Sequence, residues 1–264
     1  MFISPEQINS YATDGAVVVR QAFTGEEVAE VAAGIEANLA APGHLALVAS
    51  EADDPGYFVE DFCNWSRISQ YESFIRNSAA ATIAKQLMQS EQVRLHHDHL
   101  LVKEAGTRQR TPWHQDQPYY NISGNQNVSM WMPVDPVPRE STLEFLAGSH
   151  LGPWLMPRTF QGGQAKWFPE GSLGDLPDIE SDRDSFRILG WDLEPGDAVF
   201  FHMLTLHGAA GSRSRRRVFS VRFIGDDARH TVRNWKTSPE FTGLAAQLPD
   251  GMPFDHPLFP LLTS

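Results

Sequence analysis

Cysteine is almost missing from this chain: Cys63 is the only one among 264 residues. An intramolecular disulfide is therefore impossible and a thiolate zinc centre is excluded, so any metal site must be built from His, Asp and Glu. Positive charge is scarce as well, with 21 Lys and Arg against 33 Asp and Glu and a net charge of -12. Such a chain repels nucleic acid and anionic lipid unless its cations gather on one surface. The one dense group, Arg213, Arg215, Arg216 and Arg217, is too small for a nucleic-acid groove. No apolar run approaches the roughly 18 residues of a membrane span, and the opening MFISPEQINS has neither a basic nor an apolar leader segment. Internal repeats and low-complexity tracts are also lacking. The expectations are a cytoplasmic location and a small-molecule substrate, with no nucleic-acid or membrane partner.

What is present reads as one domain over 1–264, a size that all-β barrels often reach undivided. The 20 Gly and 18 Pro punctuate many short segments, which favours strands and turns over long helices. Ser4-Pro5-Glu6-Gln7 is a helix start with a capping box, and Thr24-Gly25-Glu26-Glu27 is a second. Between them Ala16 to Val19 reads as a strand. The stretch from about Pro42 to Tyr71 reads as an irregular surface or pocket-covering segment, followed by a helix over about 73–89. Strand candidates then succeed one another at 93–103, 112–117, 128–134, 142–146, 197–202 and 217–224. The division is thus a helical preface over about 1–92, a barrel over about 93–225 with a loop insert at about 151–190, and an extension over about 226–264. A run of short strands after a helical preface predicts a mainly β jelly-roll or related barrel with flanking helices.

The chemistry gathers at Trp113-His114-Gln115-Asp116. In an extended strand residues i and i+2 share a face, so His114 and Asp116 can bind one ion. A third ligand from a distant strand completes two histidines and a carboxylate, the facial triad that leaves Fe(II) positions open. His207 is the candidate, with Gly208 behind it permitting close approach to a ligand. Downstream, Arg216 and Arg217 open a strand, and a guanidinium there suits the distal carboxylate of a keto diacid.

These residues resemble the phytanoyl-CoA dioxygenase family of Fe(II)/2-oxoglutarate oxygenases. The likeness rests on WHQD at 113–116, Trp131, Glu140 to Phe145 running into Gly148-Ser149-His150, Pro195-Gly196-Asp197, and LHG at 206–208. It departs from the family pattern at Ser141-Thr142-Leu143 and at Ala147, neither of which supplies a ligand. The resemblance implies a double-stranded β-helix (cupin-like) core. It also implies iron on His114, Asp116 and His207, and 2-oxoglutarate on Arg216 with help from Gln115 and Trp131. The implied activity is a dioxygenase that consumes O2 and 2-oxoglutarate, releases succinate and CO2, and hydroxylates a small or medium-sized metabolite. Asp116 stands where halogenating relatives bind chloride, which favours hydroxylation. Desaturation, epimerisation or cyclisation at the same centre, or a cupin-like metal protein that does not use 2-oxoglutarate, are the rivals.

Several residues admit plainer readings. A second H-x-D occurs at His96-His97-Asp98, but without the family-like surround. In the strand 93–103, His97 and His99 share one face while His96 and Asp98 share the other. His202 reads as a core histidine. Arg216 shares a face with Val218, Ser220 and Arg222, and Arg217 with Phe219, Val221 and Phe223. A barrel with outer helices buries both faces, so periodicity does not choose between the two arginines; the family resemblance favours Arg216. Tyr119, Tyr120, Trp65, His97 and His99 are the candidates for the substrate pocket.

Overall fold

The computed structural model describes residues 3–51, 53–156, 168–169 and 171–263. The helices are α1 (Pro5–Asp14), α2 (Gly25–Ala40), α3 (Ser69–Asn77), α4 (Ala80–Met88) and α5 (Leu244–Gln247). The first seven strands are β1 (Ala16–Val19), β2 (Leu47–Val48), β3 (Phe58–Phe62), β4 (Val93–Lys103), β5 (Thr111–His114), β6 (Ile122–Ser123) and β7 (Asn127–Pro133). The remainder are β8 (Leu143–Leu146), β9 (Ile188–Leu189), β10 (Ala198–Phe201), β11 (His207–Ala209), β12 (Arg216–Ile224), β13 (Arg229–His230) and β14 (Leu261–Thr263).

Both capping boxes form. Ser4 Oγ accepts from the Gln7 amide while the Gln7 side chain accepts from the Ser4 amide, and Thr24 and Glu27 repeat the exchange. The single helix expected over 73–89 is instead two: Ser78 takes an extended backbone between α3 and α4, and its Oγ accepts from the Ala80 amide. The stretch expected to be irregular before α3 contains β2 and β3.

An eight-stranded sheet runs β1-β10-β7-β12-β4-β3-β2 with β14 also on β4, and a four-stranded sheet runs β5-β11-β8-β9. The pairings are antiparallel. These two sheets form a double-stranded β-helix. Strands β1, β2 and β3, from the region read as a helical preface, and β14, from the C-terminal extension, widen the larger sheet. Of the insert at 151–190, residues 157–167 and 170 lie outside the described residues; β9 follows them and pairs with Phe145 and Leu146.

Two core clusters lie on either side of the larger sheet, and a third joins Tyr120, Ile122 and Met203 to Leu244, Phe254 and Phe259. On the larger sheet's outer face Phe219, Val221 and Phe223 pack under the helices with Val31, Ile35, Tyr71 and Phe74, and the Tyr71 ring stacks on Phe219 at 4.2 Å. Each such side chain contributes about 1.5–3 kcal/mol by leaving water. Between the sheets, Trp131, Val199, Phe201 and Val218 meet Leu143, Phe145 and Ala209. Strand β12 therefore turns Arg217 outward, against Asp135 and Glu36 at 2.6 and 2.9 Å, and Arg216 inward. The choice that alternation left open is made by what packs on each side.

Candidate metal centre and active site

His114 ends β5 and lies directly opposite His207 of β11 in the antiparallel register. Gly208 makes that pairing possible: a Cβ there would lie 3.0 Å from the Thr111 carbonyl oxygen and 3.3 Å from the Trp113 nitrogen. The close approach seen at this glycine is to the neighbouring strand. Asp116 lies beyond the strand end, with φ -73° and ψ -45°, at the start of a 3-10 turn. Strand alternation is therefore not what brings it beside His114; the turn does.

The three side chains converge. His114 Nε2 and His207 Nε2 lie 3.6 and 3.8 Å from Asp116 Oδ1, and one ligand atom from each falls within 4.8 Å of the others. His114 Nδ1 donates to the Pro112 carbonyl at 2.8 Å and His207 Nδ1 to the Thr205 carbonyl at 2.9 Å. A carbonyl accepts only from a protonated nitrogen, so both Nε2 lone pairs are left facing the centre. Asp116 Oδ2 accepts from Ser129 Oγ at 2.9 Å and from Arg222 Nη2 at 3.1 Å. Arg222 is itself braced by Tyr120 Oη and Ser220 Oγ. One carboxylate oxygen is tied down and the other is free for a metal.

The electrostatics keep His207 and Asp116 deprotonated. Burial lowers the His207 pKa to about 3, with the neighbouring His114 adding to the effect. Burial alone would raise the Asp116 pKa, but Arg222 and the two histidines together hold it well below the usual carboxylate range. His96 and His202 are lowered to about 3 and about 4, again chiefly by burial. These three histidines are neutral when folded and bind a proton near the ordinary pKa when unfolded. The unfolded chain then binds more protons below that value, so stability falls as pH falls. In thermal unfolding of the metal-free protein, each should cost about 1 kcal/mol between about pH 7 and about pH 5.5. A melting temperature that stays level over that range would contradict their burial as neutral rings.

Arg216 stands in the same cavity, 3% exposed, and no carboxylate among the described residues pairs with it. Its Nη1 donates to the Ser141 carbonyl, its guanidinium lies 5.4 Å from the Trp131 ring centroid, and its Nε has no partner. Burial pulls its pKa down to about 10. A buried guanidinium without a counterion is a prepared anion site. The cavity, of about 350 Å³, is lined by the triad, Arg216, Arg222, Trp131, Tyr119, Tyr120 and His99, with Glu60 and Phe62 on another wall.

Three residues expected at the site lie elsewhere. Gln115 does not line the cavity: its amide nitrogen donates to the Pro153 and Leu204 carbonyls and its oxygen accepts from the Leu155 amide. It ties loops together, with both of its polar atoms engaged there. Trp65 packs against the helical core with Arg76 over its ring. His97 is buried behind Tyr120, its Nδ1 2.7 Å from His96 Nδ1. A bulge explains that contact. Arg222 is opposite His97 but Phe223 is opposite Leu95, so His96 is the extra residue and turns to the same side as His97. The second H-x-D is thereby taken apart, because Asp98 instead accepts from the Asn64 and Trp65 amides. Both ring nitrogens of His202 are also used, on the Asn125 carbonyl and the Leu204 amide. Sequence reasoning missed Ser129, Arg222 and Glu60; the only available signal was that Arg222 shares a strand face with Arg216.

The family model of phytanoyl-CoA dioxygenase (PhyH) matches residues 11–218. The chain belongs to the phytanoyl-CoA dioxygenase family. Membership makes it an Fe(II)/2-oxoglutarate oxygenase, with iron, 2-oxoglutarate and O2 as the family's cofactors and co-substrates. Among relatives, peroxisomal phytanoyl-CoA dioxygenase of Rattus norvegicus is 24% identical over 253 residues, covering 86% of this chain and 70% of the relative. The family fold recurs in SnoK, a non-heme alpha ketoglutarate dependent carbocyclase from nogalamycin biosynthesis. SnoK superposes with a TM-score of 0.75 at 24% identity, over 99% of this chain and 97% of its own. The epimerase SnoN, in complex with Fe3+, alpha ketoglutarate and nogalamycin RO, also gives 0.75 at 22% identity, over 97% of each chain. Among the described residues no helix is long and apolar enough to cross a membrane.

Proposed function

We propose that this oxygenase hydroxylates an unactivated C–H bond of a small or medium-sized metabolite, converting 2-oxoglutarate to succinate and CO2. In this reading His114, Asp116 and His207 hold the iron and Arg216, against Trp131, holds the distal carboxylate of 2-oxoglutarate. The observation that carries it is the unpaired, buried Arg216 sharing one cavity with two imidazole lone pairs and a carboxylate. The donor set fits a facial triad. Iron and 2-oxoglutarate, when bound, would supply the oxidising chemistry. The chain's own part is to bind, orient and exclude water. Ser129 and Arg222 hold Asp116 to a single ligating oxygen, while Trp131, Leu143 and Phe201 make that end of the cavity apolar.

The cavity's size also favours a compact substrate over an acyl-CoA. Among the described lining residues the only Lys or Arg side chains are Arg216 and Arg222, and the second is engaged by Asp116. Nothing cationic is left there for the phosphates of a CoA thioester. The test is succinate release by the Fe(II)-loaded protein against free metabolites and acyl-CoAs. Stimulation by acyl-CoAs alone would defeat the preference. The likeness to SnoK and SnoN over nearly the whole chain supports a second reading, ring closure or epimerisation. Product mass separates them: hydroxylation adds an oxygen atom, ring closure or desaturation removes two hydrogens, and epimerisation leaves the mass unchanged.

A further inference from the structure

Strands β3 and β4 place four side chains together on one cavity wall. Glu60 lies opposite Leu101 and Phe62 opposite His99 in the register, and all four line the cavity that holds the triad. Glu60 is 5% exposed. Its Oε1 lies 3.3 Å from His99 Nε2, and the His99 ring is stacked on Phe62 with centroids 3.9 Å apart. No Lys or Arg among the described residues forms an ion pair with Glu60, whose only charge partner there is His99. A carboxylate only accepts hydrogen bonds, and one so buried ordinarily has a cation beside it. Burial holds the His99 imidazole below its ordinary pKa, although Glu60 pulls the other way, so His99 does not supply that charge.

The nearby cations are engaged elsewhere. Arg222 faces Asp116, Arg216 is the proposed 2-oxoglutarate anchor, and Lys103 Nζ donates to the Gln109 and Ala210 carbonyls. The missing countercharge is therefore absent from the wall itself. Around Glu60 the lining is apolar or aromatic, with Phe62, Leu101, Tyr119, Leu47 and Val48. The last two are 44% and 59% exposed.

We propose that Glu60, with His99 beside it, is the substrate-recognition carboxylate of this cavity, and that the primary substrate carries a protonated amine on an apolar body. The proposal rests on the reading of the site as an Fe(II)/2-oxoglutarate oxygenase. An ammonium brings both the donors and the charge that Glu60 lacks, whereas a hydroxyl brings only a donor and a carboxylate or phosphate is repelled. The Phe62 and Tyr119 rings suit a cation with an apolar frame.

The experiment compares head groups on fixed frames. 2-Phenylethylamine, 2-phenylethanol and phenylacetate, and the corresponding cyclohexyl series, are titrated calorimetrically into metal-free protein and into protein loaded anaerobically with Fe(II) and 2-oxoglutarate. The amines should bind at least about tenfold more tightly than the matched alcohols, and the acids more weakly still. Glu60→Gln should remove the preference for amine over alcohol. Glu60→Asp, which keeps the charge, should retain its sign. A panel in which no amine outbinds its alcohol, or a preference that survives in Glu60→Gln, overturns the proposal. The Fe(II)–2-oxoglutarate charge-transfer absorption of the unaltered protein is recorded first. Its absence removes the oxygenase reading and this proposal together, whereas its presence without an amine preference removes this proposal alone.

Discussion

Arg216→Ala is expected to raise the apparent KM for 2-oxoglutarate by roughly 30- to 5,000-fold, the equivalent of about 2 to 5 kcal/mol for losing a buried charge-assisted contact. The size follows from the setting. Arg216 is buried with no carboxylate paired to it among the described residues, so a bound keto diacid supplies the full countercharge they lack. Lysine at this position should rescue only partly, because an ammonium lacks the planar fork and cannot lie against Trp131 as a guanidinium does. Arg217→Ala is the control. Its side chain is outside the cavity, on Asp135 and Glu36, so its loss should leave KM within about twofold and cost about 1 kcal/mol of stability. Steady-state kinetics in 2-oxoglutarate and a melting curve for each variant check both statements. Equal KM effects at the two positions would remove Arg216 from the anchoring role.

Alanine at His114, Asp116 or His207 should abolish coupled turnover and weaken iron binding, since a three-ligand site has no spare donor. The three variants should nevertheless differ in stability. Removing Asp116 leaves Arg222 buried without its carboxylate, a loss of about 3 to 5 kcal/mol. Removing His114, at the end of β5 and partly exposed, carries no such penalty. Anaerobic metal titration with Co(II) as a probe, read beside thermal unfolding, separates the two effects. His96→Ala should keep the metal, because His96 turns to Asn121 and the phenylalanines Phe254 and Phe259 instead of the centre. Iron retained by His207→Ala and lost by His96→Ala would exchange the assignments.

Local signals survived into the structure with little change. The capping boxes at Ser4 and Thr24 need only hydrogen bonds across three residues, and both form. The break at Ser78 was hidden because Ser69 to Met88 carries apolar residues at helical spacing on both sides of it. Strand β11 was hidden for another reason: three residues, His207 to Ala209, are too few to show a period. Strand β3 carries buried acids, Glu60 and Asp61, which made the stretch read as irregular. Each has a reason to be inside. Asp61 accepts from the Asn38 side chain and the Gly43 amide, while Glu60 faces the cavity.

The sequence by itself determined which residues can hold a metal and in what order they come: no thiolate pair, one well-framed H-x-D, and one His-Gly far downstream. These are matters of residue type and spacing, which the folded chain does not alter. Only the tertiary structure decided which way those groups point. Strand β12 is buried on both faces, so no alternation of polar and apolar residues marks its inner side. The helices covering Phe219, Val221 and Phe223 are what send Arg216, Ser220 and Arg222 to the interior. One extra residue at His96 likewise rotates a histidine away from its expected neighbour, and a turn after His114, not the pleat, carries Asp116 to the centre. Side-chain direction in a strand is fixed by register with partners far along the chain, and that information is not carried by any short stretch of residues.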